Sequence, residues 1–189
     1  MTTATAATTA IADLTGDYTL DITHTRLGFV ARHAMVTKVR GSFTEFEGTA
    51  HLDVANPAAS TASVTIQVAS ITTGNDQRDG HLRTNDFFDA PSFPTITFSS
   101  TSVEVLGSEA FRLHGDITVK GVSKPISIDF EHTGTAKDPF GNLRAGFEGK
   151  AQLTRSDFGI SYNAALETGG VLVSDKIALE FDISAVKSV

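Results

Sequence analysis

Six histidines, His24, His33, His51, His81, His114 and His132, are the side chains of this sequence best suited to proton transfer or metal binding. They are scattered, and no two share a spacing such as HExxH that would set two ligands on one helix face. No GxSxG elbow, phosphate-cradling P-loop or GxGxxG fingerprint occurs. The 189 residues include no cysteine, which excludes thiolate nucleophiles, disulfides and Cys-ligated zinc or iron–sulfur sites. No catalytic set, metal site or cofactor is therefore expected. His33 still stands apart. It ends the run LGFVARH, in which Phe29, Ala31 and His33 share one face of a strand. If that face points inward, the imidazole enters an apolar interior, where it hydrogen-bonds a ligand head group or is satisfied by a backbone carbonyl near the rim. The same placement would let it serve as general base on a small apolar substrate.

Arg78, Asp79, His81, Arg83 and Asp86 crowd a short polar segment. Charge pairs at helical spacing usually stabilise a solvated face by a few tenths of a kcal/mol, and most of this set is read that way. Arg83 is kept beside His33 as a candidate contact for a polar head group. Arg155 and Asp157 are read as a structural pair flanking a corner.

The elements that must position these groups are almost all strands. Ile126, Ile128 and Phe130 alternate with polar residues, as do Leu143, Ala145, Phe147, Ala151 and Leu153. Ile177, Leu179, Phe181 and Ile183 do the same, as do Val64, Ile66 and Val68, and Phe111, Leu113, Ile117 and Val119. Turn signals at Asn56-Pro57, Gly107-Ser108, Gly121 through Pro125 and Asp138 through Asn142 imply an antiparallel meander. Three runs switch parity: Val39-Gly41-Phe43 to Phe46-Ala50-Leu52, Ile96-Phe98 to Val103-Val105, and Leu153 to Phe158-Ile160. One extra residue flips every later side chain, so each switch predicts a bulge or corner. Corners let a sheet curl shut, and a closed barrel is favoured over a flat sheet.

The stretch from His81 to Phe98 interrupts this pattern. A helical insertion near residues 75–90 is capped by Asn75 or Asp76, weakened by Gly80, and carries a second capping signal at Asn85-Asp86. The Phe87-Phe88 doublet, Pro91 and Pro94 then lead into strand, as at the entrance of an internal cavity. Ser161 to Ser174 is the other long connection, a candidate lid or subunit contact. Residues 1–16 read as a flexible leader and 17–189 as one domain.

Thirteen Phe, two Tyr and no Trp make an aromatic set with few polar handles. It fits a lipid-lined cavity and an ordinary dry core alike. A net charge of −7 disfavours nucleic acid and anionic membranes as main partners. No run is long and apolar enough for stable membrane insertion as a helix, and the leader lacks a basic region followed by an apolar stretch, so a soluble, cytoplasmic protein is expected.

Three blocks carry a family pattern: LDITHTRLGFVARHAMVTKVRGSF (20–43), RDGHLRTNDFFDAPSFPTITF (78–98), and GDITVKGVSKPI (115–126) with LTRSDFGI (153–160). Together they resemble the YceI-like family of polyisoprenoid-binding proteins across nearly everything after Gly16, with Tyr18 standing where the family often shows Trp. The resemblance implies a mainly β fold, a closed antiparallel lipocalin-like β-barrel with a helical insertion, around a long apolar tunnel for an isoprenoid or other long-chain lipid. It also implies a homodimer in many members, and a secretion signal that this leader does not show. The expected function is non-enzymatic binding of such a lipid for sequestration, storage or transport. Phe29, His33, Phe43, Ile66, Phe98, Ile128, Phe130, Phe147 and Phe158 are expected to contribute to the tunnel, Phe87 and Phe88 to shape its wall or mouth, and His33 and Arg83 to meet a polar head. An enzyme with His33 as general base is the alternative. A third reading, a filled-core module acting through its surface, would show an interior packed at normal density.

Overall fold

Period-two alternation produces strands throughout residues 14–189, which the computed structural model describes; the leader reading falls, for residues 1–13, outside them. The strands are β1 (Gly16–Leu20), β2 (Arg26–His33), β3 (Thr37–Phe43), β4 (Phe46–Leu52), β5 (Thr61–Gln67), β6 (Ile71–Thr72), β7 (Thr95–Val105), β8 (Ala110–Val119), β9 (Val122–Lys137), β10 (Leu143–Thr154) and β11 (Lys176–Lys187). The helix α1 spans Asp76–Leu82. Leu14, placed in the leader on sequence, is buried with Tyr18, Ala145 and Ala185.

The eleven strands amount to eight staves. β1 and β2 lie end to end along β11, β4 and β3 lie beside them, and β5 and β6 come next. β7 to β11 follow as an antiparallel meander. β11 pairs with β10 on one edge and with β1 and β2 on the other, which closes the barrel. No helix among the described residues is long and apolar enough to cross a membrane.

Each parity switch corresponds to a physical break. Between β3 and β4 the ladder stops at Thr44 and Glu45, whose amides donate to the Ser70 hydroxyl at 3.1 and 3.0 Å. That hydroxyl donates onward to the Gln67 carbonyl at 2.7 Å, so one serine ties two bent staves together. β7 carries a bulge between Ser100 and Ser102 against β8. After Leu153 the chain leaves β10 through a 3-10 turn over Arg155–Phe158. The turn expected from Gly121 to Pro125 is shorter than predicted, because β9 already begins at Val122. Pro125 sits in a part of β9 that β10 does not reach, since their pairing ends at Lys150 opposite Asp129. A strand edge tolerates the missing N–H.

α1 begins where its cap predicts: the Asn75 side chain accepts from the Arg78 amide at 2.9 Å. Asn85-Asp86 starts no second helix; Thr84 accepts instead from the Phe87 and Asp89 amides in a run of turns. Asp79 departs from the solvated-face expectation. It is buried and accepts from the Thr73 amide and hydroxyl, stapling the helix to the residue that follows β6. Gly80 is exposed, and a Cβ there would meet nothing within 4 Å. Gly80→Ala is therefore expected to raise stability by about 0.5–1 kcal/mol in urea titration, and no gain would mean the helix is not limited by backbone entropy.

At the opposite end of the barrel an ionic clasp joins the bend after β1 to the β9–β10 turn. Arg144 donates to Asp21 and, at 3.0 Å, to Asp138. Hydrogen bonds from Thr23, and then from His24 and Arg144, outweigh desolvation and hold the Asp21 carboxyl well below the usual carboxylate range. Burial alone would raise the Asp138 carboxyl, but donors from Asn142, Arg144 and the Phe140 amide win and hold it at about 2. A depressed carboxylate stabilises the fold above its ordinary value, 3.8 for Asp138, and that contribution is lost as pH falls towards about 2. Melting temperature should thus stay level at neutral pH and drop across this window, with a shallower drop in Asp138→Asn. Superimposable acid profiles would remove the clasp from the explanation.

Candidate functional site

An eight-stranded barrel is just wide enough for its inward side chains to fill it, or to hold one small ligand if they do not. Here the inward rings lie down against the wall. Phe29 covers Gly41, Phe98 covers Gly115, Phe130 covers Gly149, and Leu20 covers Gly48, each on a neighbouring strand. A Cβ at any of these glycines would collide with the side chain lying over it. The result is a lumen of about 580 Å³. That is within the roughly 300–1,000 Å³ of typical ligand pockets, and it speaks against a filled core.

The buried core divides accordingly. One cluster, with Phe43, Phe87, Val119, Phe158 and Ile160, gathers at the end carrying α1. The other, with Leu14, Tyr18, Ala145 and Ala185, gathers near the termini. The lumen touches both. Phe29, Phe43, Ile66, Phe87, Phe88, Phe98, Ile128, Phe130, Phe147 and Phe158 all line it. Their rings form two chains. Phe29 meets Phe43 at 5.9 Å and Phe43 meets Phe88 at 6.1 Å. Phe130 stacks on Phe111 at 5.5 Å and on Phe181 at 6.4 Å.

The two ends differ. At the α1 end the lining residues Phe87, Arg155, Phe158 and Ile160 are all buried, so this end is closed. Tyr162, from the Ser161–Ser174 connection, packs 5.1 Å from Phe87 over the same end. At the other end the lining includes the exposed Val105, Gly107, Ser108 and Glu109, and there the lumen opens. The Phe87-Phe88 doublet is thus floor and wall, and the entrance expected beside it lies at the opposite end.

Two of the residues singled out from sequence stand outside the lining. His33 is exposed at the tip of β2, and its imidazole bonds to no carboxylate or hydroxyl among the described residues, which leaves the general-base reading without its geometry. Arg83 folds back to donate to the carbonyls of Ala69 at 2.9 Å and Ile71 at 3.2 Å. Among the described residues, the histidine that does line the lumen is His132, at the open end, where its ring lies 5.4 Å from Phe147.

The polar group that sequence reasoning undervalued is Arg155. It is 5% exposed and lines the closed end. It does not pair with Asp157. Its guanidinium donates to the carbonyls of Ser174 at 2.9 Å, Ile160 at 2.9 Å and Val173 at 3.4 Å. Burial pulls its pKa below the ordinary arginine value, offset in part by Asp175. Tyr18, with 1% exposure, is the other buried polar side chain in the wall; its hydroxyl donates to the Leu14 carbonyl at 2.8 Å and burial raises its pKa.

If rings lying on glycines keep the lumen open, Gly41→Ala and Gly149→Ala must push Phe29 and Phe130 inward. Each is expected to cost about 1–3 kcal/mol of stability as an overpacked site. Each should also weaken binding of an apolar fluorescent probe severalfold, whereas Gly80→Ala leaves it unchanged. Probe binding equal in all of these proteins would overturn this account of the lumen.

Comparison with known proteins agrees with this architecture. A UPF0312 protein of Ectopseudomonas mendocina is 39% identical over 150 residues, covering 78% of each chain. A UPF0312 protein of Staphylococcus aureus is 36% identical over 165 residues, covering 87% of this chain and 94% of that one. Among solved structures, the YceI protein of Campylobacter jejuni is 32% identical with a TM-score of 0.72, over 84% of this chain and 90% of that one. A polyisoprenoid-binding domain from Saccharophagus degradans shares the fold at a TM-score of 0.68 and 16% identity, over 90% of this chain and 98% of that one. The model of the YceI-like domain matches residues 18–185, and the chain belongs to that family.

Proposed function

We propose that this protein binds a polyisoprenoid or similar long-chain lipid within the barrel and sequesters, stores or carries it without chemical change. The observation that carries this reading is the lumen itself, a space of about 580 Å³ walled by Phe, Leu, Ile and Val side chains. Each methylene moved from water into such a wall contributes about 0.8 kcal/mol, so a long chain binds tightly with few polar contacts. The Saccharophagus degradans structure of the same fold supports the choice of ligand class, since it is described as a polyisoprenoid-binding domain. The inward rings of both aromatic chains are smooth and apolar, which suits a flexible hydrocarbon better than a polar metabolite.

Organic extraction of the natively purified protein, followed by mass spectrometry, is expected to recover a long-chain lipid in near-stoichiometric amount. Extracts without lipid, together with no binding of added prenyl compounds, would remove this function.

A further inference from the structure

Accepting that the lumen takes a lipid, its charged groups are distributed unevenly along its length. Three charged residues line it among those described: Asp53 and Glu109 at the open end, and Arg155 at the closed end. A buried cation is costly unless it is paired or well hydrogen-bonded. Arg155 has no carboxylate oxygen within ion-pair distance among the described residues. The acid that acts on it through space, Asp175, is engaged by the Ser156 amide at 3.0 Å and the Ser156 hydroxyl at 2.7 Å. A guanidinium has five N–H donors, and the three carbonyl contacts of Arg155 leave one N–H on each terminal nitrogen.

We propose that the closed end of the lumen receives an oxyanion head group, a carboxylate or a phosphate, with Arg155 as its counter-ion, so that an acidic amphiphile lies head-inward. The two carboxylates at the opening favour the same polarity, because they repel an anionic head and leave that end to the hydrocarbon terminus. Phe87, Phe158 and Ile160, buried in one cluster, line the same end as Arg155 and keep water from it, and an ion pair is stronger in such surroundings than at a surface.

The test compares four ligands of identical chain length on the unmodified protein: a fatty acid, the corresponding alkyl phosphate, the alcohol and the methyl ester. The acid or the phosphate, or both, should bind about ten- to a hundred-fold more tightly than the alcohol and ester, and their ranking identifies which oxyanion the site prefers. Arg155→Gln should erase that preference. Equal affinity for all four would overturn the head-group site while leaving lipid binding intact; no binding of any of them, or of prenyl compounds, would remove both. Orientation gives a reading that does not depend on changing Arg155. Tyr162→Phe leaves Tyr18, which lines the lumen near the termini, as the single tyrosine. A fatty acid brominated at its chain end should then quench Tyr18 fluorescence, and failure to quench while bound would place the head outward and overturn the proposal.

Discussion

Everything this barrel is built to do depends on where four large side chains go. Eight staves enclose a space that ordinary inward residues would fill, yet Leu20, Phe29, Phe98 and Phe130 each fold sideways onto a glycine of the neighbouring strand. The side chain covers backbone that the missing Cβ would otherwise leave uncovered, so the wall gains apolar contact and the axis stays open. The same device has been used in designed sheets to support glycine within a strand. Here the thickness of the wall is set by register, because Phe29 stands opposite Gly41 and Phe130 opposite Gly149.

The two ends are finished with different chemistry. At the closed end the strands splay, β9 and β10 parting beyond Asp129 and Lys150, and the buried Phe158 and Ile160 join Phe87 and Val119 in one cluster there. Arg155 holds that turn by donating to three carbonyls. At the open end polar strapping does the work, with Arg144 bridging Asp21 and Asp138 across segments distant in sequence. Each end therefore combines an apolar cluster with one arginine, Arg155 bonding to main-chain carbonyls at the closed end and Arg144 to carboxylates beside Tyr18 and Ala145 at the open end.

Much of this was legible in the residues. Alternation identified the inward faces, and each parity switch marked a real break, because side-chain direction in a strand follows from position alone. The same rule failed at His33 for a physical reason. Beyond Val30, β2 leaves β11 and pairs instead with residues 172–174 of the long connection, so parity no longer says what surrounds a side chain. Arg83 and Arg155 were misjudged for another reason: their acceptors are main-chain carbonyls, which every residue has, and no pattern of residue types announces them. The rings on glycines needed register as well as direction, and Phe130 and Gly149 become neighbours only when two strands are aligned. The location of the opening was hidden too, since it depends on which connections fold over an end.

The way the barrel shuts has a consequence for how the chain must fold. From β7 to β11 every stave pairs with the one before it, so these contacts form between segments near in sequence and can assemble early. The seam that joins β11 to β1 and β2 is different, for it brings together opposite ends of the described chain. Such distant pairings carry the largest loop-closure entropy and are made late. Until β11 arrives, a chain emerging from the ribosome holds an open, curved sheet whose concave face is lined with phenyl rings. That sheet has two unpaired edges, a state prone to sticking to other chains.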